Sequence, residues 1–484
     1  MVEHQRFDIV IKEGTIVDGT GSARFGGDVG IRDNRIVAIG DLTRVATGRV
    51  IDASNRIVSP GFIDVHTHDD RALLANPSMD MKVSQGVTSV VVGNCGVSLA
   101  PLIAEYPPPP LDLIGEKGAF RYDTFESFLD DVDSSPPAVN SAFLVGHSTL
   151  RVATMDSLNR AASREEVTRM RMMLEEGLSA GAVGFSTGLF YKPAIMAPTE
   201  EVIEIASALE AHGARYVTHM RDEGDHVIRS LDETFRIGRE ARSPVVVSHH
   251  KVHGRNNFGR SADTLAHLDK QRARHDHHGI AFDVYPYVAS STVLKEDSIR
   301  VAESVLITWS KARPDLAGRE LSDIAEELGC EIFTAAEQLQ PAGAVYFAMD
   351  EEDVQRILSH PNAMIGSDGL PHDEHPHPRL WGTFPRVLGH YCRELKLFSL
   401  EEAVRRMTGF SAEIFGLSER GVIREGAYAD ITVFDEATIL DQATFDDPKT
   451  PAIGIDLVMV NGRAVWEGGT TTGNRPGRAL RHGA

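Results

Sequence analysis

Cysteine is scarce in this chain: Cys95, Cys330 and Cys392 are the only three among 484 residues. They are too few and too scattered for a disulfide framework, so a reducing compartment is the natural setting. Long apolar runs are missing too. No stretch approaches the roughly 20 residues that span a bilayer, and Met1 to Lys12 has no apolar segment after a basic start, so the chain is expected to be soluble and cytoplasmic, without a membrane partner. Positive charge is also in short supply. With 49 Lys and Arg against 70 Asp and Glu, a net charge of −21, the surface repels nucleic acid and anionic membranes. A small molecule is the expected partner, and an anionic one would need Arg or Lys placed locally in its pocket. A monomer is compatible with this composition.

The length, with 42% hydrophobic residues, suits a barrel of roughly 250 to 350 residues plus a second domain. From Phe7 to about Ser59 short β-type pieces alternate with Gly, Asp and Asn turns, and the style returns in Ala429–Phe434 and Asp456–Gly462. Both ends are therefore expected to build one small β-sandwich domain, residues 1–60 with 416–484. Between them, over 61–415, the pattern becomes strand then helix, the mark of a parallel sheet with crossover helices. Eight strands are predicted, at 61–68, 87–94, 141–147, 182–187, 215–219, 244–249, 280–285 and 363–368. Eight is the number of a (β/α)8 TIM-type barrel. Ser163 with Glu166 forms a capping box, Thr199 precedes Glu200 and Glu201 in a first turn, and Gly181 and Gly213 are helix stops. The stretch 288–345 is longer than one crossover needs and is expected to be an inserted subdomain or lid. Pro107 to Pro110 reads as a stiff loop without chemistry.

Potential metal or proton-handling side chains end separate apolar runs: His66 and His68, Cys95, His219, His249 and Asp368. Strand ends of such a barrel converge on one face, so ligands scattered over the chain can meet at one metal. His66 and His68 share a strand face, as does Asp64. A thiolate is a strong zinc ligand, and Cys95 with two imidazoles would make a three-ligand site with an open position. Of His249 and His250, alternation lets only one face inward. Asp368 could take a proton from water and return it to a leaving amine. His147 ends the third strand and either polarises substrate or packs.

Other patterns compete. Gly184-Phe185-Ser186-Thr187-Gly188 matches a nucleophile elbow, but the following stretch to Pro198 holds two prolines and does not start a helix, so a serine-hydrolase reading is set aside. His275 to His278 precedes a strand, on the wrong barrel face for the site. His372 to His377 follows Asp368 and could shape the pocket. A non-catalytic zinc protein would have a closed fourth position and no base.

Pro60 to His68 resembles the opening signature of the amidohydrolase superfamily, and Gly426 to Asp430 its closing β-domain segment. Within it, Gly93-Asn94-Cys95-Gly96, Thr218-His219-Met220-Arg221, Ser248-His249-His250-Lys251 and Gly366 to His372 resemble the D-aminoacylase family, the N-acyl-D-amino-acid deacylases, over essentially the whole chain. The resemblance implies zinc-dependent hydrolysis of N-acyl-D-amino acids to a carboxylate and a free D-amino acid. It implies that Cys95, His219 and His249 hold a tight zinc, and so selects His249 over His250. His66, His68 and Asp368 would line a weaker second metal site, with Asp368 the general base and then acid. Lys251, Tyr285 and Arg379 would hold the substrate carboxylate, for which an Arg fork is suited. D over L chirality rests on the resemblance alone. Neutral, hydrophobic D-amino acids are favoured because no second cation pair stands ready for a side-chain carboxylate, although Lys295 could reach one; N-acyl-D-glutamate or N-acyl-D-aspartate is the alternative. A cyclic-amide hydrolase of the dihydropyrimidinase or hydantoinase type would be expected to use a bridging lysine.

Overall fold

The structure, a computed structural model, describes residues 6–43, 45–274 and 279–483. Eight parallel strands follow one another around a barrel: β1 (Phe62–Asp64), β2 (Val87–Val92), β3 (Asn140–Gly146), β4 (Gly184–Gly188), β5 (Arg215–His219), β6 (Val245–Val247), β7 (Ile280–Val284) and β8 (Ala363–Ile365). Each pairs with the next, with one register shift, between Phe62 and Ile63. The seam closes past the ends of β8 and β1, where Thr67 bridges Gly369, the Asp368 N–H donates to His66 O at 2.7 Å and the His68 N–H donates to Gly369 O at 3.1 Å. The strands read as unbroken Val-rich runs because both their faces are buried, one in the barrel and one under helices. Ile63, Val91, Leu144, Val217, Val246 and Met364 fill the barrel interior, and Phe415 from the helix Gly409–Phe415 packs into the same cluster.

The crossover helices obey ordinary end chemistry. In Arg164–Ser179, Ser163 Oγ accepts from the Glu166 N–H at 3.3 Å while Glu166 Oε2 accepts from the Ser163 N–H at 2.7 Å, a reciprocal box that satisfies two orphan donors. Val167, Met170, Leu174 and Leu178 form its buried stripe. The next crossover ends at Gly213, in a left-handed conformation with φ 59°.

Strands from both ends of the chain make one nine-stranded sheet. Ile57–Pro60 stitches it together, running parallel to Arg6–Ile16 and antiparallel to Ile431–Phe434. Ile11, Ile31, Val58, Ile431, Val433 and Met459 share its core. Between β7 and β8 lies a three-stranded antiparallel sheet, Ala289–Val293, Ser304–Ser310 and Ala342–Phe347, with its own core including Ile307, Leu321, Leu339 and Ala344. The first strand of this insertion leaves β7 directly, so the insertion stands at the barrel mouth. The His275 to His278 patch lies outside the described residues. Among those described, no helix is long and apolar enough to cross a membrane.

Candidate active site and metal centre

Side chains from four other strand ends converge on Cys95. Its Sγ lies 3.3 Å from His66 Nε2, 3.4 Å from His249 Nε2 and 3.7 Å from His219 Nδ1. The carboxylate of Asp368 closes the group, with Oδ1 3.4 Å from His66 Nε2 and 3.2 Å from His68 Nε2. All of these residues are buried. Three of them are held in backbone conformations that side chains disfavour: Cys95, His249 and Asp368 have φ of 53°, 35° and 49°. Such positions persist only when the surroundings over-determine them, and they gather at functional sites. Here the left-handed turn directs each side chain across the barrel mouth. Gly93, with φ 81°, completes the approach to Cys95; a Cβ there would lie 2.1 Å from Leu144 O.

The choice between neighbouring imidazoles is visible in their partners. His249 faces the thiol, whereas His250 turns outward, its Nε2 2.9 Å from Thr264 Oγ1 and its ring against Phe282. Burial pushes His250 down to about 3, so it stays neutral.

A second layer, which strand-end spacing does not reveal, fixes the rings from behind. Asp283 on β7 accepts from the His249 N–H at 2.9 Å and sits 3.2 and 3.3 Å from His66 Nδ1 through its two oxygens. Glu223, four residues beyond His219, puts Oε1 3.1 Å from His249 Nδ1 and Oε2 3.7 Å from His219 Nε2. In both histidines the nitrogen opposite Glu223 faces Cys95, and Lys251 Nζ also stands behind the His249 ring, 2.7 Å from its Nδ1. Lys82 is fully buried below β1 and β8; its Nζ donates to Asp64 Oδ2 at 2.7 Å, Ser367 Oγ at 2.9 Å and Thr67 Oγ1 at 3.0 Å. Asp64, which shares the strand face of His66, therefore serves this lower layer. The Glu223 and Asp283 signals were present in the sequence only as unremarkable acids near a strand end. Lys82 carried none, since it reaches the seam from a short helix.

Electrostatics match this layering. Burial pushes the Cys95 thiol up, but the charges of His66 and His249 and hydrogen bonds from His219 and His249 outweigh it and hold the thiol well below its ordinary value. Burial likewise opposes ionisation of Asp368, yet Arg379, His249 and His66 keep it well below the usual carboxylate range. Arg379 Nη1 lies 2.9 Å from Asp368 Oδ2, a charge contact without hydrogen-bond alignment, and Nη2 donates to Ser291 O at 3.1 Å. The Lys251 ammonium lies 2.8 Å from Glu223 Oε1 and 5.6 Å from the centre of the Tyr285 ring. Tyr285, pushed up to about 12 by burial, has an OH without a partner, as has Arg379 Nε.

The donor set fits a soft divalent metal. Zinc with bonds of about 2.3 Å to sulfur and about 2.0 Å to nitrogen, arranged tetrahedrally, separates its sulfur and nitrogen ligands by roughly 3.5 Å. The three thiol–imidazole separations, 3.3 to 3.7 Å, bracket that value.

Other candidates fall elsewhere. His147 Nε2 is 3.3 Å from Glu201 Oε1 in a buried cluster with Arg151, and its ring packs edge-on to Phe185. Ser186 is buried within β4, its hydroxyl bonded to Gly93 O and accepting from the Gly96 N–H at 3.0 Å. His375 and His377 tie the insertion and the 445 region together, through Phe445 O at 2.6 Å and Ala289 O at 3.0 Å. Lys295 Nζ stands 3.6 Å from the centre of the Phe190 ring, which stacks on His219. A cavity of about 270 Å³ opens in front of the cluster, lined in part by Phe190, Tyr191, His219, Glu223, Ser291 and Asp368.

Comparison with known proteins agrees with this geometry. The Amidohydrolase family model matches residues 49–305 and 318–466. The chain is 54% identical to a D-aminoacylase of Alcaligenes xylosoxydans xylosoxydans, covering 99% of this chain and 98% of the relative. It is 49% identical to an N-acyl-D-aspartate deacylase of the same organism, over 98% of this chain and 95% of that one. The solved N-acyl-D-glutamate deacylase of Bordetella bronchiseptica, complexed with zinc and a phosphonate inhibitor that mimics the tetrahedral intermediate, superposes with a TM-score of 0.94 at 45% identity, covering 99% of this chain and all of that one. A strained cysteine facing three imidazoles at the mouth of an eight-stranded barrel, and full-length likeness to these deacylases, place the chain in the D-aminoacylase family of the amidohydrolases.

Proposed function

We propose that this enzyme hydrolyses the amide bond of N-acyl-D-amino acids, releasing a carboxylate and a free D-amino acid, with zinc held by Cys95, His219 and His249. The observation that carries the proposal is the convergence of one thiol and three imidazole nitrogens within 3.7 Å. His66, His68 and Asp368 bound a second, weaker metal position next to the same sulfur. When bound, the metal supplies Lewis-acid polarisation of the amide carbonyl and lowers the pKa of water.

The chain's own residues then divide the remaining work. Asp368 takes the proton of the attacking water and returns it to the departing amine. Lys251, Tyr285 and Arg379 hold the substrate carboxylate; the unpartnered Tyr285 OH and Arg379 Nε are donors waiting for an acceptor. The insertion, which we take as residues 288–345, walls the mouth, and the two chain ends form a supporting domain over 1–60 and 416–484.

Neutral, hydrophobic D-amino acids are the preferred substrates. Asp222, Glu223, Asp225 and Asp297 line the outer cavity and disfavour a side-chain carboxylate, while Phe190, Tyr191, Val301 and Tyr346 offer apolar surface. N-acyl-D-glutamate or N-acyl-D-aspartate is the second reading, favoured by the Lys295 ammonium beside Phe190. We place the enzyme in the cytoplasm, acting on a small molecule. Amine release from N-acetyl-D- and L-forms of Leu, Met, Glu and Asp, measured beside zinc content, tests all of this. Turnover of L-forms only, or of none, would sink the reading, and preference for D-Glu or D-Asp would select the second one.

A further inference from the structure

The cavity before the cluster is not the only space that reaches Asp368. A narrower crevice also reaches it, lined by Val97, Pro110, Leu113, Ile114 and Leu370 together with His68 and Cys95. Tyr191, Ser291, Thr292 and Asp368 line both spaces, so the two meet at the Asp368 carboxylate. Their characters differ sharply. The wide cavity is rich in carboxylates and hydroxyls, and neighbours Lys251 through Glu223 and Arg379 through Ser291. The crevice has a free volume of about 10 Å³, room for roughly one water molecule, against about 270 Å³ for the cavity.

A planar amide carbon held beside Cys95 and Asp368 sends its two substituents apart, so they enter different compartments. The amino-acid half carries both a side chain and a carboxylate, too bulky for a crevice of this size, and its carboxylate would lose its water against the apolar walls. That half must occupy the wide cavity, leaving the crevice for the other substituent. We infer that the crevice formed by Val97, Pro110, Leu113, Ile114 and Leu370 is the acyl subsite, and that its size restricts the enzyme to short acyl groups such as acetyl. The proline-rich loop after β2 thereby gains a role: Pro110 and the turn Leu111–Leu113 form the roof that limits chain length.

The inference rests on the deacylase reading, and the test separates the two. The native enzyme's kcat/KM is measured on N-acetyl-, N-butyryl- and N-hexanoyl-D-methionine, and again for Ile114→Ala and Leu113→Ala, using the butyryl-to-acetyl ratio within each protein rather than absolute rates. A pocket that rejects added methylenes discriminates roughly 10-fold or more for each. The native kcat/KM should therefore fall about a hundredfold or more from acetyl to butyryl, two methylenes longer, and Ile114→Ala should raise the butyryl-to-acetyl ratio about fivefold or more, with Leu113→Ala as the parallel variant if the first does not fold. A flat chain-length profile in the native enzyme overturns the subsite while leaving the deacylase reading intact. Unchanged ratios in the folded variants do the same. No turnover of any N-acyl-D-amino acid removes the deacylase reading and the subsite with it.

Discussion

Two of the buried clusters of ionisable groups in this barrel are built on opposite plans. In the first, Arg151 and Glu201 exhaust each other beside His147: Arg151 bonds Glu201, donates to Pro193 O at 2.6 Å and to Arg160 O at 2.7 Å, and Glu201 also accepts the Ala162 N–H at 2.9 Å. In the second, Cys95, His66, His249 and Asp368 hold ligand atoms within 4.8 Å of one another and His219 Nδ1 faces the same sulfur at 3.7 Å, while Asp283 and Glu223 stand behind the rings of His66 and His249. Backbone strain sorts the same way. Left-handed residues occur at Cys95, His249 and Asp368 and at none of the three residues of the first cluster. A buried charge whose partners are all internal is a structural device; one whose partners leave a shared focus is a binding site.

The sharpest way to break this contrast is Cys95→Ala. It should abolish stable zinc binding and, with it, the several kcal/mol of carbonyl polarisation, an activity loss of about a thousandfold or more. Metal analysis of the purified variant after dialysis checks it, and full zinc occupancy would end the claim. Asp368→Asn should retain the tight zinc but lower kcat by about 100- to 10,000-fold, the range for a general acid–base group. Normal turnover in that variant would take Asp368 out of the reaction. Glu223→Gln is expected to weaken zinc affinity about 10- to 100-fold through misoriented imidazoles, read by competition with a chelator; unchanged affinity would reduce Glu223 to a counter-ion for Lys251.

The smallest effect on catalysis is expected from the first cluster. Glu201→Gln should leave zinc content intact and cost roughly 3–5 kcal/mol of stability, because it strands the buried Arg151 charge. A pH series sharpens the point. Burial pushes Glu201 up, but His147, the Ala162 N–H and Arg151 bring it down to about 2 from an ordinary 4.5. A depressed carboxyl contributes its full stabilisation above about 4.5 and loses it as pH falls through about 2. The stability gap between native protein and Glu201→Gln, measured by urea unfolding, should therefore narrow over that interval; a gap that stayed constant would contradict the assignment.

Much of this is legible in the sequence. Strands such as Val87–Val92 and Val245–Val247 announce themselves as apolar runs because a barrel strand is buried on both faces, and His66, Cys95, His219, His249 and Asp368 stand at or just beyond such runs. The seam of β1 and β8 brings residues some 300 positions apart into hydrogen-bond contact, as in Ser367 N–H to Asp64 Oδ1 at 2.8 Å. Periodicity says nothing about contacts of that kind, so Lys82 went unseen. The orientation of His249 against His250 was equally hidden, since it depends on a left-handed turn that breaks strand alternation. His147 looked equally able to serve substrate or to pack, and only the position of Glu201 across a crossover helix shows its partner. Preference for the D configuration has no signature in spacing and rests on likeness to the deacylases.

The central claim is that one sulfur and at least two imidazoles share a single metal. X-ray absorption at the zinc edge of the protein loaded with one equivalent of zinc tests it most directly. The expected spectrum has one sulfur neighbour at about 2.3 Å and nitrogen or oxygen neighbours at about 2.0–2.1 Å. A first shell of nitrogen and oxygen alone would contradict the account.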